Sequence, residues 1–79
     1  PSLGWFADAL EAYPNSRWDE SVATALVHYL RAVWQHAGES VRTDATAQQA
    51  FERLLNLAAA HGGHDGLSLR DQVLDTARG

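Results

Sequence analysis

Apolar residues recur at helical spacing in four segments of this chain. In the first, Leu3 to Tyr13, the residues Leu3, Phe6, Ala7, Leu10 and Tyr13 share one side of a helix, and Asp8 and Glu11 take the other. Ser2 stands where an N-cap is expected. Tyr13 precedes Pro14, which pushes it out of helical geometry and predicts a stop. The second segment, Arg17 to Ala37, has one polar stripe of Arg17, Ser21, Thr24, His28, Arg31 and Gln35. Almost every other position there is apolar, so this helix is expected to be buried on more than one side, as the hub of the fold. Ser16 and Asp19 read as a capping box with a short acid, and Gly38 as the terminator.

The spacing predicts a loop from Gly38 to Thr43, then a third helix from Asp44 to His61 with Thr43 as its cap. Ala47, Phe51, Leu54, Leu55 and Ala58 form its core stripe, while Gln48, Gln49, Glu52, Arg53 and Asn56 face away. The Gly62-Gly63 pair ends it, and His61 to Gly66 reads as a connector. A short fourth helix, Leu69 to Arg78, starts at a Ser68/Asp71 cap and offers Leu69, Val73, Leu74 and Ala77 for packing. No run alternates with period two, so no strand competes. The expected fold is all-α: a compact four-helix bundle with a long central second helix, in one domain spanning residues 1–79 that is a fragment of a larger protein.

Composition narrows the functional classes. The 79 residues carry a net charge of −4 and no cysteine, so neither a disulfide nor a thiolate metal site is available. The six arginines, at 17, 31, 42, 53, 70 and 78, are scattered, which argues against a phosphate-tracking surface. No apolar run is long enough to span a bilayer, and no signal peptide is visible. The expected location is therefore the cytoplasm of the producing cell, or a host cell if the chain is exported. Lysine, isoleucine and methionine are absent as well. A GC-rich bacterial gene would give that bias; selection against ubiquitin attachment in a eukaryotic host, as in a translocated effector, would also give it.

Candidate chemistry is sparse. His61, His64 and Asp65 are the densest metal-capable set, but their spacing matches no zinc pattern, and the segment reads instead as a helix C-terminus, with His61 near the last carbonyls and two glycines making the turn. His28 and His36 lie about 12 Å apart along one helix, too far to share an ion. No nucleophile elbow, phosphate loop or His-Glu zinc motif occurs, and the serines at 16 and 68 have a plainer use as caps. No catalytic, cofactor or metal site is expected, so the chain reads as non-enzymatic. Three tryptophans are many for so small an interior. Trp34, with Arg31 and Gln35 beside it, and Trp5 are the candidate partner-binding residues, because Trp and Arg dominate interface hot spots.

The leading expectation is a helical protein–protein interaction (adaptor) domain, in its specific form a bacterial effector domain that binds a host protein. The alternative is a structural segment of a solenoid. Two successive helix hairpins, from Leu54-Leu55 through Leu69-Arg70-Asp71, are similar in pattern to a slice of HEAT or armadillo repeats. A helix-turn-helix DNA-binding domain comes third. Its connector would be too long, and Asp71 and Asp75 would repel phosphates.

Overall fold

A computed structural model describes the backbone of residues 3–78 and the side chains of residues 3–76. The expected Ser2 cap, the packing expected of Ala77 and the Arg78 side chain lie outside the described residues. The chain forms α1 (Leu3–Glu11), a 3-10 turn (Asn15–Arg17), α2 (Glu20–Thr43), α3 (Ala45–His61) and α4 (Gly63–Arg78). This is the four-helix, all-α arrangement with a long second helix that the apolar spacing predicts. No strand occurs among the described residues.

The boundaries follow from caps and glycines, and several differ from expectation. Asp19, rather than Ser16, caps α2: its carboxylate accepts the Val22 N–H at 2.9 Å. Ser16 sits in the 3-10 turn instead, so the helix starts three residues later than the apolar spacing suggests. The loop expected at Gly38–Thr43 is helical. Ala37 leaves helical geometry (φ −135°, ψ 19°), and the chain then resumes a helical course at a new angle as far as Thr43. That bend buries Val41. Asp44 is both the last cap of α2 and the N-cap of α3, where it accepts from the amides of Thr46 and Ala47. The expected cap, Thr43, instead donates its hydroxyl back to the Glu39 carbonyl.

The largest correction concerns the connector. Gly62 alone separates α3 from α4, and the segment from Gly63 to Ser68 is already helical. Ser68 is therefore a mid-helix residue and caps nothing. Gly63 adopts φ +62°, which turns the chain back on itself. Gly66 then passes so close to α3 that a Cβ there would lie 1.9 Å from the Ala58 carbonyl oxygen. The glycines shorten the turn and let two backbones touch.

The core consists of Ala7 from α1, Leu26, Val27, Leu30 and Val41 from α2, Phe51, Leu54, Leu55 and Ala58 from α3, and Leu69 and Val73 from α4. Among the described residues none of the buried side chains is polar. The hub is α3: it packs on all three other helices, whereas among the described residues α1 and α2 meet through side chains, as in the Phe6–Tyr29 edge-to-face pair (5.2 Å between centroids). The apolar surplus of α2 made it look like the hub. The structure leaves part of that surplus uncovered.

Candidate functional site

On α1, Ala7 is wholly buried and Leu3, Phe6 and Leu10 pack around it. At 100° per residue this turns Trp5, Ala9 and Ala12 outward, and all three are exposed. On α2, burial of Ala23, Leu26, Val27 and Leu30 sets the inner face. Ala25, Tyr29 and Ala32 emerge on the side of α2 away from Arg31, with Ala32 one turn before Gln35, and these three are also exposed. Because Phe6 meets Tyr29, the two outer faces adjoin. They bring two rings and four alanines together, with the exposed Asp8 and His36 beside them. Trp5 is 65% exposed and Tyr29 44%.

The four residues singled out from sequence do not form one patch. Trp34 is half-buried, lies against Phe51 (5.8 Å, 23° between planes) and carries the Arg42 guanidinium 5.6 Å over its ring. Arg31 and Gln35 stand on the polar flank of α2. Trp5 belongs to α1, which meets α2 through the opposite flank. Tyr29, Ala25 and Ala32 were not foreseen. The sequence signal for them was the narrowness of the polar stripe, which leaves more apolar positions than three neighbours can cover.

A second feature is a polar cleft of about 400 Å³ where the N-termini of α2 and α4 meet the end of α3, lined by Trp18, Asp19, Glu20, Thr24, His61 and Asp65 among others. Its groups already have local work. Asp19 caps α2, and the His61 ring stacks flat on Trp18 (4.1 Å, 4°), which in turn meets Tyr13 edge-on. His64 points elsewhere, with Nε2 3.4 Å from the Ser68 hydroxyl one turn along α4. Among the described residues no group of three or more His, Cys, Asp or Glu side chains is placed to hold a metal ion.

The charged residues expected to be merely solvated include one tertiary contact. Arg53 of α3 reaches Asp8 at 2.5 Å and forks onto both oxygens of Glu11. Hydrogen bonding from this guanidinium, with its charge, holds the Glu11 carboxyl below the usual carboxylate range. The two carboxylates in turn hold the Arg53 proton more firmly, Glu11 more than Asp8. This draws the Asp8 and Glu11 carboxylates toward α3.

No protein-family model matches the chain, and no curated protein or solved structure is significantly similar to it. No helix among the described residues is long and apolar enough to cross a membrane.

Proposed function

We propose that this domain is a non-catalytic protein–protein interaction module that engages another protein chain through the outer faces of α1 and α2. One observation carries the reading: Trp5 and Tyr29 stand exposed beside four exposed alanines. Contiguous apolar surface of this kind marks contact sites, and aromatic rings supply most of the energy in such contacts. The acidic residues of α4, Asp65, Asp71 and Asp75, favour a protein over a nucleic acid. The lysine-free composition fits a domain that a GC-rich bacterium delivers among host proteins.

A photo-crosslinking residue placed at Tyr29, with the same residue at Gln35 in the polar stripe as a control, tests the reading in extract from the host cells. A protein captured from position 29 and not from 35 supports it. Equal capture from both positions, or none, overturns it.

The solenoid reading draws on a different observation. Apolar side chains are exposed on the first and last helices alike, Trp5 on α1 and Leu67 (44% exposed) on α4, as at the two faces of a repeat cut from a stack. A sharp, reversible thermal transition of the isolated chain supports an autonomous module; a broad, shallow loss of helix supports the solenoid segment.

A further inference from the structure

The seam between α3 and α4 carries a second surface. We infer that it is a groove for an acidic amphipathic helix of another protein, held by Arg42 at one end and Arg70 at the other.

Helix geometry builds the groove. Leu69 and Val73 turn one side of α4 into the core, and at 100° per residue this puts Leu67, Arg70 and Leu74 together on one flank. Arg70 and Leu74 meet Glu52, Leu55 and Asn56 of α3 around a depression of about 230 Å³. Leu55 is buried and forms its floor, Leu74 is half-buried, and Leu67 stands exposed at the head of the same flank. Glu52 and Leu74 also line a neighbouring recess, which continues past Gln48 and Phe51 to Trp34 and Arg42. The two recesses therefore run together along α3.

Charge complementarity names the occupant. The chain carries −4, yet among the described residues the ion pairs all belong to Arg53. Arg42 lies over the Trp34 ring at 5.6 Å, and Arg70 reaches the neutral Asn56 oxygen at 3.4 Å. Both guanidiniums keep N–H groups for carboxylates. Glu52 lies between them, pairs with neither, and repels a continuous polyanion such as DNA. Two separated carboxylates avoid it. Arg70 stands beside Asn56, and Arg42 shares its recess with Gln48. These two α3 positions lie about 12 Å apart along the axis. Acidic residues seven positions apart on a helix are separated by about 10 Å and can reach both arginines. Apolar side chains three and four positions into that interval then lie over Leu74 and Leu55, as anchors of a helix in a groove.

Titration of the full ¹⁵N-labelled chain with a helical peptide tests the inference. The probe carries Glu at positions i and i+7, Leu at i+3 and i+4, and Ala and Gln elsewhere; its control has Lys in place of both Glu. The expected result is saturable shifts of the Leu67, Arg70 and Leu74 amides, strongest at low salt, with no such response to the control. Arg42→Glu and Arg70→Glu should each weaken binding at least about tenfold, while Arg17→Glu in the 3-10 turn leaves it unchanged. Arg70→Gln removes the charge without reversing it and covers the case in which the reversal disturbs α4. No saturable shift at millimolar peptide, equal binding of the Lys control, or indifference to the Arg42 and Arg70 variants overturns the inference. So does a short DNA duplex that moves the same amides at lower concentration. None of these outcomes touches the reading of the α1–α2 surface, which crosslinking from position 29 tests separately.

Discussion

α1 and α4 both dock on α3, by opposite means. α4 follows α3 after one residue and lies against it backbone to backbone, because Gly66 carries no side chain at the crossing. Leu69 and Val73 then complete a buried contact. α1 comes from far away in the chain. It contributes one wholly buried side chain, Ala7, and its flank is tied to α3 by the solvent-exposed fork of Arg53 onto Asp8 and Glu11. The first junction depends on close approach and is indifferent to salt. The second rests on Ala7 and the half-buried Leu3, Phe6 and Leu10, and adds long polar side chains in water, where an ion pair is screened and worth little. α1 is therefore the helix that opens at least cost. It is also the helix that carries half of the proposed docking face, so covering that face should stabilise the weaker junction.

The contrast is broken most severely at the crossing. A Cβ at Gly66 would meet the backbone of Ala58 and Ala59, which cannot rotate away. Gly66→Ala should cost roughly 3 kcal/mol by forcing α4 off α3, or a drop in Tm of about 12 °C or more for a domain of this size. A variant melting within a few degrees of wild type would show that the two backbones have room to part. Ala7→Leu is the matching test on α1: overpacking a wholly buried alanine should cost about 2 kcal/mol. It should act locally, however, speeding amide exchange in α1 more than in α4. Equal acceleration in both helices would contradict the idea that α1 opens by itself. Gly63→Ala should cost about 1 kcal/mol for a different reason. Space is open around this residue, and the strain comes from its φ of +62° alone.

Glycine also explains where the sequence was legible and where it was not. The four helices, the core stripes of α1 and α3 and the end of α3 at His61 follow from apolar spacing, which depends only on helix geometry. Gly38 and the Gly62–Gly66 group look alike as helix breakers, and both suggested loops. Their actual roles depend on tertiary neighbours. At Gly38 the φ is ordinary and a Cβ would only touch the Trp34 ring at 3.6 Å, so the chain stays helical past it. Gly38→Ala is expected to stabilise the domain by about 0.5 kcal/mol; a loss instead would mean that the bend at Ala37 needs the glycine. The candidate site was legible by half. An excess of apolar surface on α2 and a surplus of tryptophan are visible in the residues alone. Which flank stays uncovered depends on where α1 docks, and the Arg53 contacts with residues more than forty positions away set part of that docking.

The smallest expected effect separates the two junctions most cleanly, because it uses pH. The Glu11 carboxyl titrates below its usual range in the folded chain, first through its hydrogen bonds to Arg53. A carboxylate with a lowered folded pKa adds stability that is fully present above its unfolded pKa and is lost as pH falls through the folded one. The difference in Tm between wild type and Arg53→Gln should therefore be largest near neutral pH and shrink as pH falls below the ordinary glutamate range. Both partners are exposed, so the difference is small even at its largest. The penalty of Gly66→Ala involves no titrating group and should keep its size over the same range. A wild-type advantage over Arg53→Gln that persists unchanged in acid would mean that Arg53 holds α1 by packing its aliphatic stem. The two junctions would then differ in strength and not in kind.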